Sequence, residues 1–450
     1  MPILDQQRLN VAKKTRSNIF GWRGQFTPEF VEYLLDESDT GAGLVVDPFC
    51  GSGTVLLESA GRNRPAQGFE INPAAYAMSR FFTLSRLSRS ERLGLFAGVE
   101  QLIRKTAGEF ADLPLFNSVD DYRASSSNLL DLARELFSKT ENKTQTLLAL
   151  LILFEAEGCR AQSLNQAVFV ATSRIRKHLL QQPHTKAPVQ TSLCDARLTH
   201  RYVCAEASLI LTSPPYINVF NYHQNHRALL ELLGFDLLHV AASEIGSNRK
   251  NRQNRFRTVI QYALDMEQCL RSFALSLVRG GKLILVIGRE SNVRGVAIPN
   301  SRLVAAVADD LGGFRHESTF ERRFTNRFGA SIYEDILVFR RLNSEPVPGA
   351  AVRRASLCLG DLISHTTGGV REDIQQALAD APPSSPHPSS RAARNSEPCP
   401  PRPISTSWMR PSVTPSASRT TCDCSKRPVS VTSRGKPRLA PCAPRARSAS

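Results

Sequence analysis

No stretch of this 450-residue chain is apolar over the ~20 residues a membrane helix needs. The longest strongly apolar run, Thr146–Phe154, falls far short of a span. The N-terminus, Met1-Pro-Ile-Leu-Asp-Gln6, lacks the charged-then-apolar pattern of a secretory signal. Ten cysteines are scattered rather than framed, which disfavours a disulfide scaffold and suits a reduced, cytosolic protein. Cys399, Cys422, Cys424 and Cys442 do not have zinc-finger spacing, and His223 and His226 show no carboxylate or cysteine company. No metal and no membrane partner are expected. Acids are scarce toward the C-terminus: residues 381–450 carry twelve Lys or Arg against two acids, a net of +10 out of the total of +16. The first 380 residues therefore hold only +6, so charge alone is weak support for a polyanionic partner.

What is present reads as strands alternating with helices. Residues 26–35 predict a helix, with Thr27 as cap, Pro28 as first helical residue and apolar side chains at helical spacing. A strand at 43–46, a glycine loop, a helix from about Thr54 to Gly61 and a strand ending at Glu70 make a βαβ opening. Residues 73–185 are mostly helical, and about 86–185 read as a helical insertion. Strand signals return at Leu209–Leu211 and Lys282–Ile287, the latter after a tight turn at Arg279-Gly280-Gly281. A closing hairpin pairs 320–324 with 332–339 around a turn at 326–329. The expected fold is α/β, a Rossmann-like doubly wound sheet over residues 17–345 with the helical insertion inside it. A short extension (346–381) and a disordered basic tail follow. Fourteen of the 27 prolines fall in 382–450, among Ser and Arg and without aliphatic periodicity. Two readings of that tail stand level: a natural disordered segment, or an out-of-frame C-terminus.

Two motifs carry the chemistry. Asp47-Pro48-Phe49-Cys50-Gly51-Ser52-Gly53-Thr54 sits between a strand and a helix, where Gly51 and Gly53 allow a tight turn and close approach to a ligand. An acid at the strand's end is a poor neighbour for phosphate. It suits a cationic amino-acid end such as the methionine part of S-adenosylmethionine. Glu70, at the tip of the next strand, stands where such folds place a carboxylate for ribose hydroxyls. Cys50 reads as a small loop filler rather than a nucleophile. The second motif, Ser213-Pro214-Pro215-Tyr216, follows an apolar strand. The exocyclic amine of a base is a poor nucleophile, because its lone pair is delocalised into the ring. The Ser213 hydroxyl and the Pro214 carbonyl can accept its two hydrogens, freeing the lone pair and supporting the positive charge that grows during attack. Pro214 and Pro215 stiffen the loop, and Tyr216 offers a flat face to a base taken out of its stack.

On these motifs the chain resembles the bacterial DNA amino-methyltransferases that act on N-4 of cytosine or N-6 of adenine. The resemblance spans roughly residues 17–340. It implies that Phe26 and Thr27 line the methionine end of the cofactor, that residues 47–54, with Phe49, are its glycine loop, and that Glu70 holds its ribose. It also implies that Asp195 contacts the cofactor's adenine, that Ser213–Tyr216 is the catalytic tetrapeptide, and that the strand through Glu334 and Asp335 closes beside the target base. Serine at 213 is commoner among the cytosine enzymes. The implied cofactor is S-adenosylmethionine and the implied partner double-stranded DNA, in a bacterial cytoplasm, with a cognate restriction or defence nuclease as a further partner. The Pro-Cys nucleophile loop of cytosine C-5 methyltransferases has no counterpart outside the tail, at 398–399 and 441–442. Residues 218–258, rich in Asn, Gln, His and Arg, are candidates for touching the polynucleotide. Two alternatives stand beside this reading: an RNA guanine amino-methyltransferase, and a catalytically silent DNA-binding remnant.

Overall fold

The computed structural model describes residues 4–11, 14–108, 119–161, 163–217, 222–247, 251, 253–325 and 329–382. A seven-stranded sheet runs in the order β3-β2-β1-β4-β5-β9-β8. Its strands are β1 (Val45–Asp47), β2 (Ala66–Glu70), β3 (Val189–Leu193), β4 (Ala207–Thr212), β5 (Leu277–Gly288), β8 (Phe314–Thr325) and β9 (Ser331–Arg341). A small separate ribbon pairs β6 (Ser291–Val293) with β7 (Val296–Ile298). The first five strands of the sheet are parallel, and β9 and β8 close it in antiparallel fashion. This is the expected doubly wound α/β sheet.

Successive side chains on a strand point to opposite faces, so a strand covered on both sides must be apolar at every position. The central runs Val45–Val46, Leu209–Leu211 and Leu283–Ile287 of β1, β4 and β5 meet that demand. Val45, Leu209, Leu211, Ile284 and Val286 enter one core, with Phe30 and Leu34. Val46, Ile210, Leu283, Leu285 and Ile287 enter the other, with Tyr262, Met266 and Phe273 of the helix Arg257–Ser276. The expected turn at Arg279–Gly281 is a bulge inside β5: the partners jump from Ala207↔Leu277 to Leu209↔Lys282, and Gly280 turns at φ +77°.

The opening βαβ unit forms as expected, with α2 (Pro28–Glu37), β1, α3 (Thr54–Gly61) and β2. Thr27 occupies the cap position of α2, but its hydroxyl makes no capping bond. That departs from the expectation, and Pro28 at the first turn already removes one of the amides a cap would serve. The earlier α1 (Gln6–Asn10) lies on β8, the edge strand. Gln6 Nε2 donates to the Glu321 carbonyl at 2.7 Å, and Asn10 Oδ1 accepts from the Arg323 amide at 2.8 Å. The exposed edge is thus blunted by a helix instead of a charge.

Between β2 and β3 run α4 (Pro73–Arg80), α5 (Arg89–Gly108), α6 (Val119–Lys139), α7 (Lys143–Glu157) and α8 (Leu164–Gln181). Residues Thr146–Phe154, the longest apolar run, are buried all round α7, as expected of a helix at the centre of a cluster. Residues 346–381 do more than extend the chain. Their helices Ala351–Ile363 and Gly368–Ala379 place Ala355, Leu359, Ile374 and Ala377 in the same core as Tyr262 and Phe273. Among the described residues no helix is long and apolar enough to cross a membrane. The tail beyond Pro382, and residues 326–328 of the expected hairpin turn, lie outside the described residues.

Candidate active site

The order of the sheet turns between β1 and β4: from β1 the chain winds outward to β2 and β3, and from β4 to β5. In an open α/β sheet the crevice at the carboxyl ends of two such strands is where ligands bind. Both sequence motifs lie there, because the glycine loop leaves β1 after Asp47 and the tetrapeptide leaves β4 after Thr212. One cavity is lined by Phe26, Asp47, Phe49, Gly51, Glu70 and Asp195 together with all of Ser213–Tyr216.

Within the loop two amides are turned to carboxylates. The Phe49 amide donates to Asp47 Oδ1 at 3.1 Å, and the Gly51 amide to Glu70 Oε2 at 2.8 Å. Glu70 Oε1 accepts from the Asn72 amide at 2.8 Å, and Thr212 Oγ1 donates to Asp47 Oδ1 at 2.5 Å. A loop whose amides face carboxylates repels phosphate. Burial pushes the carboxyl of Asp47 up to about 7, despite the bond from Thr212 and with a smaller push from Glu70's charge. Burial likewise pushes Glu70 up to about 7. Asp195 and Glu244 line the same cavity, where among the described residues Arg23 is the one Arg or Lys in the lining. The site therefore favours a ligand carrying positive charge.

Gly53 does not line this cavity. It opens α3 at φ +95°, and a Cβ there would lie 2.7 Å from Phe82 Cδ2 and 3.0 Å from Ser79 Cα. Its glycine serves packing and a left-handed turn. Gly53→Ala is expected to lower stability by about 2–4 kcal/mol, from strain at positive φ plus overpacking. Urea titration checks this: a lower midpoint with an unchanged slope is the expected outcome. Thr27 also stands outside the cavity lining, with its hydroxyl buried and unpaired. Cys50 is buried against Gly68, and burial holds its thiol protonated, which suits a filler rather than a nucleophile.

Asp195 reaches the cavity, but its carboxylate is engaged by Arg197. The guanidinium donates from Nη2 to Oδ2 at 2.5 Å and bridges to Asp265 at 2.8 Å, while the Arg197 amide donates to Oδ1 at 2.9 Å. Arg197 thus fixes the acid in place from below.

The tetrapeptide is gripped by two glycines. A Cβ on Gly288 of β5 would lie 2.7 Å from Tyr216 Cε2, and one on Gly246, at φ +75°, 2.2 Å from the Tyr216 carbonyl oxygen. The Tyr216 hydroxyl donates to Glu334 Oε1 at 2.9 Å. Burial, and then the charge of Glu334, push this phenol well above its usual range.

Several lining residues carried no recognised sequence signal. Trp22 stacks on Tyr222 with ring centroids 5.5 Å apart and planes 20° from parallel, and both face the cavity. Gly51 has no side chain beside the Trp22 indole, 3.3 Å from where a Cβ would stand. Trp22 is one of only two tryptophans in the chain, which was the available hint. Of the 218–258 stretch, Tyr222 and Ser243–Ile245 line the cavity, while residues 218–221, 248–250 and 252 lie outside the described residues. The two histidines correct an expectation: each has a carboxylate. His223 Nδ1 lies 3.1 Å from Glu244, and His226 Nδ1 lies 2.5 Å from Glu157. These are separate pairs, brought together by distant segments. Among the described residues no three His, Cys, Asp or Glu side chains gather as metal ligands.

No curated protein matches this chain. Among solved structures it is similar to TrmN from Thermus thermophilus, at 14% identity and a TM-score of 0.30 over 75% of this chain and 53% of that one, about half of TrmN's length. It is similar to an S-adenosylmethionine-dependent methyltransferase from Methanosarcina mazei at 10% identity and TM-score 0.30, over 69% of this chain and 98% of that one. The rRNA methyltransferase aviRa from Streptomyces viridochromogenes matches at 12% identity and TM-score 0.30, over 75% of this chain and 93% of that one. Likenesses this distant say nothing of this chain's substrate. The model of a family described as DNA methylase matches residues 4–80. Those residues hold α1, α2, the glycine loop and Glu70, and over them this chain is similar to the DNA methylases.

Proposed function

We propose that the chain is an S-adenosylmethionine-dependent methyltransferase acting on the exocyclic amino group of cytosine (N-4) or adenine (N-6) in DNA. The observation that carries the reading is the meeting of both motifs in one acid-lined cavity at the turn of the sheet. The residues fit the cofactor: Asp47 and Glu70 are carboxylates raised by burial, suited to its ammonium end and its ribose. Phe26, Phe49 and Asp195 complete the cofactor side of the cavity. When bound, S-adenosylmethionine supplies a methyl group made electrophilic by its sulfonium.

The chain's own residues handle the amine. The Ser213 hydroxyl and Pro214 carbonyl accept its two N–H hydrogens and hold the nitrogen's lone pair out of the ring. Pro214 and Pro215 keep that carbonyl oriented, so no reorganisation is needed as positive charge develops. Tyr216 stacks on the base, which must leave the duplex for its amine to reach so enclosed a site. No strong base is needed, since the methylated ammonium sheds its proton readily. Serine at 213 is commoner among the cytosine enzymes but occurs in adenine enzymes too, so it tilts the reading toward cytosine and leaves the base to the test.

The test is tritium transfer from labelled S-adenosylmethionine to unmodified genomic DNA and, separately, to RNA, followed by nucleoside mass analysis. Label in N-4-methylcytosine or N-6-methyladenine is the expected result and decides the base. Label confined to RNA, or cofactor binding without transfer to either polymer, would refute the reading.

A further inference from the structure

We infer that Glu334, itself held by Arg322, is a positioning residue for Tyr216, and that the closing hairpin thereby sets the plane on which the target base stacks. The inference rests on the function proposed above. Both oxygens of the Glu334 carboxylate are committed: Oε1 accepts from the Tyr216 hydroxyl at 2.9 Å and Oε2 from Arg322 Nη1 at 2.7 Å. Arg322 in turn is fixed on every side. Its Nε donates to the Leu9 carbonyl of α1 at 3.2 Å. Its guanidinium lies over the rings of Phe30 and Phe324, at 4.2 Å and 4.8 Å from their centroids. Arg322 is 5% exposed and Glu334 8%, so water does not compete for these bonds.

The backbone completes the vice. Glu334 of β9 pairs with Gly288 of β5, and Gly288 is the residue whose missing side chain leaves room for the Tyr216 ring. One strand pair therefore supplies both the wall behind the ring and the anchor for its tip. An aromatic side chain turns within a broad torsional well about its last bond. A tip anchored to a buried carboxylate removes that freedom before the base arrives, and a base misplaced by a fraction of an ångström loses rate rather than cofactor affinity. Among the described residues, Glu334 is the carboxylate bonded to this hydroxyl.

The test compares wild type with Tyr216→Phe, Glu334→Ala and the double variant, using methyl transfer to unmodified DNA and separate measurement of cofactor Kd. Each single variant is expected to lower kcat about 10- to 100-fold, with cofactor Kd and the cofactor's KM unchanged. The double variant should be no slower than Tyr216→Phe, which removes the bond to Glu334 together with the hydroxyl's bond to Ser213. Unchanged kcat in Tyr216→Phe overturns the inference, as do losses that multiply in the double variant or appear in cofactor KM. Glu334→Ala leaves Arg322 without its charge partner, so if it fails to fold, Tyr216→Phe, which keeps the ion pair, decides alone. A wild type that transfers no methyl group to DNA sinks the functional reading instead; an active wild type with an equally active Tyr216→Phe sinks only this one.

Discussion

A Ser213→Ala, Tyr216→Ala double variant is expected to lose methyl transfer by a factor of at least about 10³ while still binding cofactor. Loss of one preorganised electrostatic contact at a reacting atom costs about 10²- to 10³-fold, and loss of a stacking ring costs about 1–3 kcal/mol per base. The two losses fall on different parts of the same event. On the proposed mechanism, loss of the Ser213 hydroxyl leaves the Pro214 carbonyl to draw the amine's hydrogens out of conjugation. Loss of the Tyr216 ring removes the face proposed for the base and the hydroxyl bonded to Glu334. The proposed cofactor side of the cavity, at Asp47, Phe49 and Glu70, lies at the ends of β1 and β2 and should bind as before. Truncating the tyrosine also leaves a void against Gly288, so thermal unfolding must accompany the kinetics. A variant that stays folded and binds cofactor, yet retains kcat, would show that this tetrapeptide does not carry the reaction.

The second large effect lies in pH. Asp47 and Glu70 are each pushed by burial up to about 7, from ordinary values of 3.8 and 4.5. Glu70's charge adds a smaller push to Asp47. The sign follows from which state holds the protons. Between pH ~4 and ~7 the folded protein binds protons that the unfolded chain has released, so the free protein's stability falls as pH rises through that window. A cationic ligand does the reverse and favours the ionised carboxylates. Cofactor affinity is therefore expected to climb below pH 7, by up to about tenfold per pH unit for each carboxylate that ionises on binding, and to level above 8. Calorimetry at pH 6 and pH 8, in two buffers of different ionisation enthalpy, should show protons released on binding at pH 6. Glu70→Gln should make the dependence shallower. Binding that is flat with pH and releases no protons would mean that these carboxylates do not meet the ligand's positive charge.

The helix Thr54–Gly61, the strand ending at Glu70 and the strand at 209–211 were legible because each is a local pattern: a glycine turn, a cap, a run of apolar residues. β3 was not. Its Val-Gln-Thr-Ser-Leu lies at the edge of the parallel sheet with a half-exposed side, and so carries no run of apolar residues. The helix Arg257–Ser276, which covers one face of the sheet, and the closing helices of 346–381 were also assigned no role from the pattern alone. A helix declares its apolar stripe but not the sheet it covers.

The sequence by itself determined the chemistry on offer. An acid, two glycines and a second acid follow the first two strands, and a serine, two prolines and a tyrosine follow a later one. Those choices depend on local backbone geometry and functional groups, which the order of residues states directly. Only the tertiary structure decided which distant groups face one another. It bridged Asp195 to Asp265 through Arg197, gave His223 and His226 their carboxylates, and laid Trp22 on Tyr222. It moved Gly53 and Thr27 behind the cavity and fastened Tyr216 to Glu334. The reason is physical: local periodicity specifies a strand or helix, whereas contacts between separate elements depend on strand order, register and packing, which only the assembled sheet sets.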